Sequence, residues 1–125
     1  MTTAEVANRW VSLCRENKNV EAIHELYANS VLSAEPDEVP DKQMISKEAI
    51  RQREIQFREI VEKFHEIEIS DPIVRENHFS CGMTQDVTIE GPGRVKLEQI
   101  CVYKVENGKI IEEEFFFTPI RIGHE

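Results

Sequence analysis

The sequence predicts an α+β fold: three N-terminal helices packed on a strongly curved, mostly antiparallel sheet. Three observations carry this. Apolar residues recur at helical spacing only in the first half of the chain. From about residue 65 the period changes to two. Gly91-Pro92-Gly93 and Asn107-Gly108 then separate long alternating runs, and Asn-Gly between apolar runs is a strong hairpin signal because both residues take φ > 0 at low cost. Helices followed by a meander form an α+β plan.

Residues 4–17 read as the first helix, with Val6, Trp10, Leu13 and Cys14 on one face and Asn17 as its stop. Asn19 caps a short second helix that runs to about Tyr27. Residues 31–35 form a short strand. Residues 36–42, with two prolines and three acids, form a surface loop. Ser46 caps the third helix, and Ile45 and Ile50 have the spacing of a hydrophobic staple. Its buried stripe is Ile50, Phe57, Val61 and Phe64. Arg51, Arg53, Glu54, Arg58 and Glu59 make a solvated face. Residues 65–69 alternate as a strand that Asp71-Pro72 breaks. Residues 79–90, 94–105 and 109–117 complete the meander. With no repeat and no composition break, residues 1–125 read as a single domain.

Composition narrows the function. A net charge of −9 without a Lys/Arg stripe excludes the footprint of a nucleic-acid binder and argues against anionic membrane surfaces. No apolar run approaches the ~20 residues of a spanning helix. The first residues lack the pattern of a signal peptide, so a cytoplasmic location is expected. Cys14, Cys81 and Cys101, without CxxC spacing, read as reduced buried thiols.

Several segments in this order resemble the NTF2-like superfamily and, within it, small SnoaL-like proteins. The opening helix carries a Trp. Residues 19–28 (Asn-Val-Glu-Ala-Ile-His-Glu-Leu-Tyr-Ala) are similar to the family's second helix, and Val31-Leu32-Ser33-Ala34 to its first strand. Lys47-Glu48-Ala49-Ile50 resembles its third-helix start, without the usual Gly near Ser46. Residues 102–113 resemble its closing hairpin. The resemblance implies a cone-shaped sheet wrapped round a helix, with a pocket in its mouth and frequent dimerisation. It also implies a superfamily that holds ketosteroid isomerases, polyketide cyclases, epoxide hydrolases, dehydratases and binding domains, so fold alone does not set function.

Strand parity sorts the faces. Each of four strands places one polar residue on an apolar face: His65, Gln85, Gln99 and Glu113. Unpaired, each would cost about 1–3 kcal/mol. Either they bond one another or lie at strand ends, or they line a small-molecule pocket. On the second alternative Glu113 and His65 form an acid–base pair that needs no cofactor and no metal. Gln85 and Gln99 orient the ligand, and Trp10, Met83, Tyr103 and Phe115 form the wall. Tyr27 or Tyr103 would donate to a developing enolate oxygen or else simply pack in the core.

Glu35 matches by position the carboxylate of the family's isomerases, but its neighbours read as loop. Glu21–His24 and Glu62–His65 have di-iron Glu-x-x-His spacing, but half of the chain is β rather than the required bundle. No G-x-S-x-G elbow is present.

The expected function is binding of a small, largely apolar molecule, with any catalysis being cofactor-independent isomerase, cyclase or hydrolase chemistry. The alternative is a non-catalytic interaction domain, a homodimer through a sheet patch of Ile100, Val102, Ile110 and Phe116.

Overall fold

In the computed structural model, which describes residues 1–34 and 43–117, the helices cover one face of a seven-stranded sheet. Helix α1 spans Thr3–Arg15, α2 Asn19–Leu26 and α3 Lys47–Ile60. The strands are β1 (Tyr27–Ala34), β2 (Gln43–Ser46), β3 (Val61–Ile69), β4 (Ile73–Arg75), β5 (His78–Ile89), β6 (Gly93–Glu106) and β7 (Lys109–Phe117). Glu35 and the loop expected at 36–42 lie outside the described residues. No helix among those residues is long and apolar enough to cross a membrane.

Local chemistry sets the helix ends. The Thr2 hydroxyl accepts from the Glu5 N–H, and Glu5 accepts from the Thr2 N–H, a reciprocal capping box for α1. Asn17 ends that helix region at φ 64°, a left-handed position that Asn tolerates. Arg15 then donates to the Ile69 carbonyl at 2.8 Å, tying the end of α1 to β3. Ser46 accepts from Ala49 N–H and starts α3 as expected. Lys18, not Asn19, holds the N-cap position of α2, and Asn19 is buried in the first turn.

The sheet order is β2-β1-β7-β6-β5-β3, with β4 also paired to β5. β1 runs parallel to β7, and the other pairings are antiparallel. At the β6–β7 turn Asn107 and Gly108 have φ 53° and 75°, the positive pair a two-residue hairpin needs. The core lies between α1 and the sheet and includes Val6, Trp10, Leu26, Val31, Phe79 and Tyr103.

Two expectations are corrected here. Helix α3 ends at Ile60, so Val61 and Phe64 belong to β3. That strand slips register between Val61 and Lys63 and again between Phe64 and Glu66. The two inserted residues let Val61, Phe64, Ile67 and Ile69 all stand opposite inward residues of β5. Their spacing of three mimics a helix. The second correction concerns Ile110, expected on the outer sheet face. A register shift between Lys104 and Val105 turns it inward, and it is fully buried.

Candidate functional site

Glu113 is the centre of the site. It is 2% exposed in the middle of β7, opposite Tyr103 on β6 and Ser33 on β1. Directly opposed residues share a face, so the three side chains stand together on the helix-covered side. The Tyr27 hydroxyl donates to Glu113 Oε1, and the Ser33 hydroxyl donates to Oε2 at 2.6 Å. The Arg53 guanidinium, from α3, lies 3.7 Å from the same Oε2. Two hydroxyl donors and a guanidinium thus face this buried carboxyl. Burial pushes the Tyr27 phenol well above its ordinary range; the charge of Glu113 and its hydrogen bond add to this.

A cavity of about 380 Å³ opens beside this carboxyl. α1 and α2 contribute Trp10, Asn19 and Ile23. α3 contributes Ile50, Arg53, Glu54 and Phe57, and the sheet contributes Tyr27, Met83, Gln99, Tyr103, Glu113, Phe115 and Phe117. The wall is mostly apolar and aromatic. Trp10 stacks on Tyr27 at 5.5 Å and meets Tyr103 at 5.1 Å between ring centroids. Glu54 is held above its ordinary value by burial, against the opposing pull of Arg58 at 3.2 Å.

Six of the eight sequence-predicted residues meet at this cavity: Glu113, Gln99, Tyr103, Met83, Trp10 and Phe115. Gln99 directs its amide at Met83 Sδ, 3.6 Å away. Gln85 and His65 are not among the lining residues. Gln85 is buried further along β5, opposite Leu97 and Ile67. His65 sits in the second bulge of β3, and its Nε2 pairs with the Thr88 hydroxyl at 2.7 Å. Thr88 belongs to the outer parity of β5, so the expected His65–Glu113 pair does not form. Glu62 and His65 are the bulge residues of this strand and lie on no helix, so the helical bundle that their spacing would need is absent there.

Sequence reasoning missed Ser33, Arg53, Glu54 and Asn19. Ser33 follows Val31 at strand spacing, and both are buried. The parity test that singled out Glu113 would have found it. Arg53 and Glu54 fall in the gap between Ile50 and Phe57 on the inner stripe of α3, not on a fully solvated face.

A family model for the SnoaL-like domain matches residues 1–117, and the chain belongs to this family. A Mesorhizobium loti protein, provisionally described as a SnoaL-like polyketide cyclase with carbohydrate phosphatase as a second description, is similar at 32% identity. The match covers 93% of this chain and 99% of that one, with a TM-score of 0.83. An NTF2-like protein from Burkholderia thailandensis shares the fold at 15% identity and a TM-score of 0.75, over 94% and 92% of the two chains. TerC, co-crystallised with polyporic acid, does so at 13% identity and 0.69, over 93% and 91%. No curated protein sequence matches the chain at a significant level.

Proposed function

We propose that this SnoaL-like protein binds a small, largely apolar molecule in the cavity between the helices and the sheet. Glu113 acts there as an acid–base group without a cofactor, in isomerase, cyclase or hydrolase chemistry. One observation carries the reading: a carboxyl 2% exposed on the wall of an otherwise mostly apolar cavity. An apolar residue at that place would avoid the desolvation cost of several kcal/mol. The chain instead surrounds a carboxyl with two hydroxyl donors and a guanidinium. Such a group takes a proton from a bound C–H or O–H and returns it elsewhere on the same molecule. Tyr27 and Ser33 hold it in place, while Trp10, Met83 and Phe115 supply the apolar contact. The M. loti protein, provisionally described as a SnoaL-like polyketide cyclase, and TerC, co-crystallised with polyporic acid, fit this reading.

A crystal structure of the protein purified without added ligand tests it. Density in the cavity against Glu113 is expected. An interior closed by side chains overturns the reading.

A second reading rests on Ile100 and Phe116. They stand opposite each other on the outer face of β6–β7 and are 57% and 49% exposed. Such a pair suits contact between two copies of the chain. Sedimentation at micromolar concentration tests this, and a monomer throughout removes it.

A further inference from the structure

Cys81 on β5 and Cys101 on β6 are buried free thiols that stand directly opposite each other in an uninterrupted antiparallel register. Directly opposed side chains share a face. The backbone fixes which kind of pair they make. Gly82 donates its N–H to Ser70 Oγ at 2.7 Å and accepts from the Ser70 N–H at 2.9 Å, both on the β3 side. The backbone groups of Cys81 therefore point the other way, at β6. Cys81 and Cys101 form a hydrogen-bonded pair, whose Cα atoms lie about 5.5 Å apart. That separation falls inside the range of about 4.4–6.8 Å that a disulfide spans. The sulfurs are already partners. The Cys101 S–H donates to Cys81 Sγ, which draws the Cys81 thiol below its ordinary value against the effect of burial, and the charge of Arg15 adds to this. The neighbouring rungs of the same face are Phe79–Tyr103 and Met83–Gln99, and Tyr103, Met83 and Gln99 line the cavity.

We propose that Cys81 and Cys101 are an oxidisable dithiol, which hydrogen peroxide closes to a cross-strand disulfide and small thiols reopen. Cys81 is the attacking sulfur and Cys101 the resolving one. The Cys81 thiolate attacks one peroxide oxygen, the O–O bond breaks, and the departing hydroxide leaves as water with the thiol proton. Cys81 is then a sulfenic acid. The Cys101 sulfur attacks Cys81 Sγ, the S–S bond forms as the S–O bond breaks, and the hydroxyl leaves with the Cys101 proton as a second water. Two thiols and one peroxide thus give one disulfide and two waters. Peroxide is little larger than water, and the cavity brings it to the rungs beside the pair. The bond would pin β5 to β6 directly beneath the cavity wall.

The test treats the folded, reduced chain with hydrogen peroxide, blocks remaining thiols with iodoacetamide in denaturant, and maps the tryptic peptides by mass. The three cysteines fall on separate peptides, 10–15, 76–94 and 97–104, so each pairing has its own signature. The expected product is 76–94 joined to 97–104, lighter by two hydrogens and separated again by dithiothreitol, with Cys14 still open to iodoacetamide. Three free thiols after peroxide, Cys14 joined to either partner, or a link between two chains would each overturn the proposal. So would a rate of joining that climbs with added urea in step with the unfolded fraction, because the reaction would then belong to the unfolded chain. Cys101→Ala removes the resolving sulfur, and dimedone is expected to label Cys81 in that variant. An unlabelled Cys81 overturns its role as the attacking sulfur. Should Cys101→Ala fail to fold, the peptide map of the native chain still decides.

Discussion

Ser33 and Glu113 stand directly opposite each other across the parallel β1–β7 pair, and the Ser33 hydroxyl donates to Glu113 Oε2 at 2.6 Å. A short bond from a buried hydroxyl to a carboxylate is among the stronger hydrogen bonds a protein makes. Ser33→Ala is therefore expected to lower stability by about 1.5–3 kcal/mol. Urea unfolding of the two single variants and of Ser33→Ala/Glu113→Gln checks this. The expected coupling in that cycle is about 1 kcal/mol or more. Simple additivity would mean that the two side chains act independently.

Alkaline pH is expected to unfold the protein through its buried phenols. Burial first, and nearby negative charge after it, raise both Tyr27 and Tyr103 above their ordinary value of 10.0. Above that value the unfolded chain loses protons that the folded chain keeps. The stabilisation is complete below about pH 10 and falls as pH rises beyond it, by about 1.4 kcal/mol per pH unit for each Tyr. Cys14, raised by burial from 9.0, adds a loss of the same sign from about pH 9. Denaturation midpoints from pH 8 to 11 should show the decline, and Tyr103→Phe should flatten it.

His65 and Glu113 should behave differently under mutation. His65 bonds Thr88 on the outer face, away from the cavity. His65→Ala is expected to change stability by less than about 1 kcal/mol and to leave the fluorescence of Trp10, on the cavity wall, as it was. Glu113→Gln, read by the same fluorescence, is expected to alter it. A changed Trp10 emission in His65→Ala would contradict the placement of its side chain.

Ile110 and Ile100 offer a direct test of the β6–β7 register. Ile110 is fully buried and Ile100 is 57% exposed. Ile110→Ala is expected to cost about 2–5 kcal/mol. Ile100→Ala should stay within about 0.5 kcal/mol in the monomer. Thermal unfolding of the two variants measures both, and similar costs would mean that the strand faces are misassigned.

Features set by neighbouring residues were the ones legible in the sequence. The Asn107-Gly108 turn, the Ser46 cap and the alternation of β5 and β6 are local, and the structure contains each. β3 was obscured because its two bulges give inward residues a spacing of three, which reads as a helix and moves His65 to the wrong face. β2 is short and mostly exposed, with no alternation to find. In the site, Glu113 announced itself as the single acid on an apolar face. Its pairing with Ser33 and Arg53 did not, because they reach it through a strand pairing and a helix packing that no short window contains.

The parallel β1–β7 pair also orders events during folding. β5, β6 and β7 are joined by tight turns and close small loops, whereas Ser33 and Glu113 are 80 residues apart in the chain. Loop-closure entropy delays the distant pairing relative to the hairpins. Until β1 docks, Glu113 lacks the Tyr27 and Ser33 hydroxyls, which that strand carries. The arrival of β1 then extends the sheet beyond β7 and delivers both hydroxyls to the acid in the same movement. A chain halted before this step would carry a meander without the acid's protected setting.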